Sequence, residues 1–145
     1  MDAIRVKKLS PNAMLPTYGS LEAAGADLYA CLEEEITIAP GETAWIGTGL
    51  SLEVPKGCAG LVYARSSLGA KRGLAPANKV GVIDSDYRGE VRVVLFNHSA
   101  KAQTVAPGER IAQLLITPVV TPPYVEAEEL SSTDRGAGGF GSTGK

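Results

Sequence analysis

Residues 81–97 read GVIDSDYRGEVRVVLFN, and the way this stretch divides decides the class of fold. Val82 and Ile83 run in as a strand, bracketed by Gly81. Asp84-Ser85-Asp86-Tyr87-Arg88-Gly89 then reads as a tight turn, since Asp and Ser bond their own backbone and Gly supplies φ > 0. From Glu90 to Asn97 the chain resumes as a strand, with Val91, Val93 and Leu95 on one face. The expectation is a hairpin whose tip carries two acids, an aromatic and a base within five positions. A tip of this kind holds a carboxylate rigidly at a sheet edge, as catalysis needs. Taken alone it reads first as an ordinary solvated β-turn, because charge-rich tips are common, so the rest of the chain has to decide.

Working outward, the same alternation recurs. Ile4 and Val6 open a strand that Pro11 and Pro16 break, and Gly25–Ala30 is a short strand with a close approach at Gly25. On that strand Asp27 points off the face opposite Leu28, which by default makes it a surface acid. Ile36 and Ile38 alternate with Glu35 and Thr37. Thr43–Val54 reads as one long β-rich run, Cys58–Ala64 as another strand, and Arg110–Thr117 as a late one. Ala-Pro-Gly-Glu occurs twice, at 39–42 and 106–109, each time before a strand, as a type II turn predicts. Only Arg65–Gly73 reads as helix, with Ser66 or Ser67 to cap it, Lys71 and Arg72 at its end and Gly73 to stop it. About ten short strands between Gly and Pro turns predict an all-β sandwich or barrel with one short helix.

Val94 and Phe96 are apolar on the second face of their strand, and Ile111, Leu114, Leu115 and Ile116 fill both faces of the later one. Such strands are covered twice, by the opposing sheet and by something else. A homo-oligomer of closed cyclic symmetry is the expectation.

Size and charge narrow the function. A chain of 145 residues forms one domain with a real core. Its net charge of −2 and pI near 5.4 argue against general binding to nucleic acid or acidic membranes, which needs a basic face. A small anionic ligand needs only a few placed Arg residues and Gly-rich backbone. Cys31 and Cys58 suggest neither a disulfide framework nor a metal knuckle; both read as reduced and mostly buried. The N-terminus has no apolar run of signal length, and no segment approaches the ~18–20 apolar residues of a membrane helix. The expected location is the cytoplasm.

Past Pro118 the chain loosens. Pro122-Pro123 stiffens an extended crossing, and Tyr124–Glu126 is a candidate edge strand on this chain or a neighbour. The end, RGAGGFGSTG at 135–144, has the composition of a disordered tail. Gly-rich backbone with Arg135, Ser142 and Thr143 is also how a chain wraps phosphates, and a lone Phe140 can stack on a planar base. Three segments could therefore bind phosphate: Arg65-Ser66-Ser67 at the helix start, the strand entry Gly108–Gln113, and the tail.

Taken together these segments resemble the trimeric-type deoxyuridine triphosphate nucleotidohydrolase (dUTPase) family. Its five motifs stand in order as AGADLYA (24–30), ARSSLG (64–69), NKVGVIDSDYRGE (78–90), GERIAQLL (108–115) and RGAGGFGSTG (135–144). Ser67 stands where many members have Gly. The resemblance implies a jelly-roll-like fold over residues 1–145, with an extended arm at 119–134 and a flexible Gly-rich lid at 135–145. It also implies a homotrimer with active sites shared between chains, Mg²⁺, and hydrolysis of dUTP to dUMP and pyrophosphate, which limits uracil in DNA and supplies dUMP. By the same resemblance Asp84 is the general base for the attacking water and Asn78 holds that water or the pyrimidine edge. The backbone of a 78–84 hairpin, including Gly81, Val82 and Ile83, reads uracil, and Tyr87 lies flat on the deoxyribose. Arg65, Ser66, Ser67 and Gln113 contact phosphate, and Asp27 meets Mg²⁺ through water. Arg135, Ser142 and Thr143 close on the γ-phosphate with Phe140 over the base, and Gly141 also contacts substrate. Two rivals remain at this stage: a deaminase of the same superfold acting on dCTP, which shares the Arg-Ser-Ser element, and a non-catalytic nucleotide-binding protein.

Overall fold

Val91, Val93 and Leu95 all point inward, and their face builds the core. In the computed structural model, which describes residues 3–141, they meet Leu28, Ile38, Ile46, Leu74, Val105 and Ile111, all nearly or fully buried. These side chains come from opposing sheets, so the interior is that of a sandwich.

Twelve strands and one short helical segment are present among the described residues: β1 (Val6–Lys8), β2 (Thr17–Tyr18), β3 (Ala26–Tyr29), β4 (Ile36–Ile38), β5 (Thr43–Gly47), β6 (Leu50–Leu52), β7 (Cys58–Tyr63), the helical segment Ser67–Arg72, β8 (Leu74–Pro76), β9 (Gly81–Ile83), β10 (Arg92–Asn97), β11 (Gln103–Val105) and β12 (Arg110–Pro118). A five-stranded sheet runs β2-β3-β12-β7-β9 and a three-stranded one β5-β10-β8; β1 pairs β6 and β4 pairs β11. All pairings are antiparallel. The all-β, jelly-roll-like sandwich with one short helical segment is as expected. Both Pro-Gly turns form as read: Gly41 and Gly108 take φ of 76° and 73°, and the following Glu42 and Glu109 N–H groups bond the carbonyls of Ala39 and Ala106.

Several local expectations are corrected. The turn after Ile83 is not a hairpin tip. β9 pairs β7 in one sheet, whereas β10 pairs β5 and β8 in another, so residues 84–91 cross between sheets. For the same reason residues 78–84 form no hairpin: β8 and β9 also lie in different sheets. The 43–54 run breaks at Thr48-Gly49. Gly49 sits at φ 66°, and a Cβ there would lie 2.9 Å from the Cys31 sulfur and 2.8 Å from the Ala13 methyl. Thr48 is fully buried, its hydroxyl donating to the Val91 carbonyl at 2.7 Å, so the break is also where the crossing segment is bolted down.

The helical segment is a wide, π-type turn. Gly73 stops it in the left-handed region, as expected, but Ser66 is itself helical and makes no capping bond. Cys31 and Cys58 are free thiols, and both are only half-buried. Tyr124–Glu126 forms no strand; Tyr124 and Val125 stand exposed. Among the described residues no helix is long and apolar enough to cross a membrane.

Val94, Phe96 and Leu115 remain half-exposed, while Val93, Leu95 and Leu114 are buried and Ile116, on the Leu114 face, packs against the core. Trp45, paired with Val94 across β5 and β10, is 69% exposed. The second faces of both strands thus stay uncovered within one chain.

Candidate active site

Among the described residues strand β9 is the edge of its sheet and pairs with β7 alone. One row of its backbone N–H and C=O groups is therefore free to bond a planar ligand as a further strand would. The apolar strand ends at Ile83, and Asp84 is the first residue past it, exposed. The crossing segment then folds tightly: the Tyr87 N–H bonds the Asp84 carbonyl at 3.2 Å, and the Arg88 guanidinium donates to the carbonyls of Ser85 and Tyr87 at 2.8 and 2.9 Å. From below, the buried Ser51 hydroxyl donates to the Arg88 carbonyl at 2.7 Å. Glu90 ties the far end to the Gly49 N–H at 3.0 Å and to Arg92 at 2.9 Å. Asp84 is thus carried on a braced backbone.

Asn78, Gly81, Val82, Ile83, Asp84 and Tyr87 line one groove of about 590 Å³, together with Trp45, Pro76 and Val94. Lys79, at the tip of the preceding turn, holds a left-handed φ of 66°. The structure therefore brings together the residues expected to meet base, sugar and attacking water.

The residues expected to meet phosphate lie elsewhere. Arg65, Ser67, Lys71, Arg72 and Arg110 border a second hollow of about 320 Å³. Arg65 donates to Asp27 at 2.7 Å and to the Ser67 hydroxyl at 3.3 Å, and Arg110 reaches the other Asp27 oxygen at 3.3 Å. Arg72 is spent on Glu109, Gln103 and the Thr104 carbonyl. Gln113 lies opposite Asp27 in the ladder and donates to the Ala64 carbonyl at 2.9 Å. Gly25 makes room for it: a Cβ there would lie 2.7 Å from the Gln113 side-chain oxygen. Ser66 is exposed beside this cluster.

The default reading of Asp27 as a surface acid is overturned. Its side chain is 14% exposed and shared by two guanidinium groups, 38 and 83 residues away in sequence. Arg110 stood in the quoted motif without a role; its contact with Asp27 gives it one. Trp45 also went unnoticed, although a lone Trp between Ala44 and Ile46 on an alternating strand must face away from the core.

Asp27 keeps acceptor capacity for a cation or its water shell. Both carboxylate oxygens already accept from Arg, each keeping one lone pair. Among the described residues no group of three or more His, Cys, Asp or Glu is placed to hold a metal. A lone carboxylate already shared by two guanidinium groups would suit Mg²⁺ as a hydrated ion better than as a directly held one.

On the β7–β9 ladder Asp84 and Arg65 lie toward opposite ends: Ile83, just before Asp84, pairs with Gly60, and Arg65 stands five residues past Gly60, beyond the end of β7. At ~3.3 Å per residue this is roughly 17 Å of chain between them. In the tail, Arg135 donates to the Gly138 carbonyl at 2.8 Å, Phe140 is fully exposed at φ 51°, and Gly141 is exposed with φ 90°. Ser142 and Thr143 lie outside the described residues.

A β-sandwich with an edge strand beside a carboxylate–aromatic turn, and a separate guanidinium cluster, has the parts of a nucleotide phosphate hydrolase. Comparison with known proteins makes the class specific. The dUTPase family model matches residues 11–144. The chain is 50% identical over 142 residues to the deoxyuridine 5'-triphosphate nucleotidohydrolase of Nautilia profundicola, covering 98% of this chain and 99% of that one. It is 47% identical to the Syntrophotalea carbinolica protein of the same name, over 97% and 96% of the two chains. Among solved structures, a point mutant of the dUTPase of Staphylococcus bacteriophage 80alpha, with dUpNHpp, superposes with a TM-score of 0.91 at 29% identity over the whole of both chains. A point mutant of the dUTPase from S. aureus phage phi11, described with a structural Mg(II) ion, gives 0.81 at 25% identity over 90% of this chain and all of that one. These likenesses define an enzyme of the dUTP diphosphatase class. The chain belongs to the dUTPase family.

One consequence for stability follows from the Asp27 cluster. Asp27→Ala is expected to destabilise the protein by about 2–3 kcal/mol, because it leaves a largely buried guanidinium without its carboxylate. Urea unfolding at fixed protein concentration reads this as a lower midpoint at unchanged slope. An unchanged midpoint would show that the cluster does not hold the sheet.

Proposed function

We propose that this chain hydrolyses dUTP to dUMP and pyrophosphate by in-line attack of an Asp84-oriented water on the α-phosphorus. The observation that carries this reading is the groove in which a braced carboxylate and an aromatic ring face a free strand edge. Uracil lies against β9, where backbone groups of Gly81, Val82 and Ile83 bond its edge as a strand partner would. A narrow slot of this kind clashes with the methyl of thymine. Tyr87 forms a wall against C2′ of the sugar. A carboxylate is a weak base, so Asp84 mainly holds the water in line while cationic groups carry the growing charge.

Arg65, Ser66, Ser67 and Gln113 bind the phosphate chain, and Asp27 positions Arg65 for that task. Bound magnesium would neutralise charge on the phosphate oxygens, with Asp27 in contact through water. Asp84 and the Arg65–Asp27 cluster lie toward opposite ends of the β7–β9 pair, which supports a working site that takes its guanidinium cluster from a second copy. A homotrimer meets this need and covers the open faces of Val94, Phe96 and Leu115. The arm at 119–134 reaches a neighbour. Residues 135–145 close as a lid, with Arg135, Ser142 and Thr143 on the γ-phosphate, Phe140 over the base and Gly141 also in contact with substrate. The reaction removes dUTP before it enters DNA and provides dUMP, and it takes place in the cytoplasm.

Pyrophosphate release across dUTP, dTTP, dCTP and UTP tests the reading. Release from dUTP well above the other three is expected. Ammonia from dCTP, or dUTP binding without pyrophosphate release in the presence of Mg²⁺, would overturn it.

A further inference from the structure

Gly89 is the residue whose side-chain absence the Tyr87 ring depends on. Gly89 does not occupy the left-handed region, so backbone freedom is not what the position uses. A Cβ built there would lie 2.4 Å from the Tyr87 hydroxyl oxygen, 2.6 Å from Cζ and 2.9 Å from a ring carbon. The ring is thus folded back over the Gly89 backbone at closer than van der Waals distance for any other residue. The same hydroxyl tethers the ring there, donating to the Glu90 carbonyl at 2.9 Å.

Two properties separate this from a packing role. First, the atoms a methyl would meet are the far end of one side chain and not backbone or core. Tyr87 is 45% exposed and can swing into solvent, so the fold can absorb the change. Second, the ring lines the groove beside Val82 and Asp84, so the swing moves a wall of the site. We infer that Gly89 and the Glu90 carbonyl are positioning groups that set the Tyr87 ring, and thereby determine how strongly the site rejects a 2′-hydroxyl. The inference rests on the proposed sugar-wall role of Tyr87. A steric wall discriminates only as far as it is stiff. The extra oxygen of a ribonucleotide is rejected if the ring cannot yield, and admitted if the ring can move an ångström or two.

The experiment measures kcat/KM for dUTP and for UTP in the full chain and in Gly89→Ala, Tyr87→Phe, Tyr87→Ala and the double variant Gly89→Ala/Tyr87→Ala, each checked for unchanged far-UV circular dichroism. The dUTP-to-UTP ratio is expected to fall at least about tenfold in Gly89→Ala and about threefold in Tyr87→Phe, which keeps the ring but loses its tether. The double variant is expected to match Tyr87→Ala alone, since without the ring the methyl has nothing to displace. A loss of stability by itself would lower both rates and leave the ratio unmoved. If Tyr87→Ala lowers the ratio while Gly89→Ala and Tyr87→Phe keep it, the inference is overturned and the sugar wall stands. If Tyr87→Ala also keeps it, the sugar-wall reading fails and the inference with it.

Discussion

Asp84→Asn is expected to lower turnover by about 10²–10⁴-fold, the usual range for losing general-base help, while nucleotide binding stays within a few-fold of the unmodified chain. The two effects separate because the turn does not depend on this carboxylate. Its shape comes from the Tyr87 N–H on the Asp84 carbonyl, the Arg88 guanidinium on two carbonyls and Ser51 from beneath. An amide of the same shape leaves all of these in place. It cannot accept the water proton, and its NH₂ group turns a donor toward a water that needs an acceptor. Single-turnover pyrophosphate release, set beside calorimetric binding of a non-hydrolysable dUTP analogue, reads both quantities. Near-normal turnover would remove Asp84 from the role.

Deleting residues 135–145 is expected to cut kcat/KM by about 10²-fold or more, since lost positioning and water exclusion are costly, yet to leave thermal stability within about a degree or two. The core explains the second half. Among the described residues none of its buried side chains comes from beyond Leu114, and Val120, Tyr124, Val125, Leu130 and Phe140 are 87% exposed or more. Removing part of such a segment uncovers nothing. The first half follows from chain entropy. Fixing each residue costs about 1–2 kcal/mol, so a Gly-rich lid orders only when the triphosphate and base supply compensating contacts. Differential scanning calorimetry and steady-state assays on the truncated chain test both halves together. Full activity after truncation would reduce the tail to a tether.

The parts of this protein that follow from short-range pattern were legible in the sequence. Alternation placed Val91, Val93 and Leu95 inward, because a strand has a period of two wherever it pairs. The two Pro-Gly turns declared themselves, because a proline φ and a positive φ next to each other admit few conformations. Asp27 was correctly placed off the Leu28 face, but its partners Arg65 and Arg110 were invisible, since nothing local says which residues a distant ladder will bring beside it. Gly89 reads as the turn's positive-φ residue, yet its φ is not positive; what it provides is room beneath the Tyr87 ring, which depends on how the segment folds back. Gly73 ends the helical segment as its φ freedom predicts, but no serine caps the start, because a segment of six residues is held by tertiary packing more than by capping.

Composition, turn chemistry and hydrophobic period were enough to determine an all-β chain, its inward faces and the identity of the groups available for chemistry, all of them properties of a few neighbouring residues. Sheet membership was decided only in three dimensions. Residues 84–91 look like a hairpin tip, but β10 finds its partners in β5 and β8 and leaves β9 as a free edge. A turn signal encodes a reversal of direction and not the strand that the reversed chain will bond, which is settled by the burial of both faces at once.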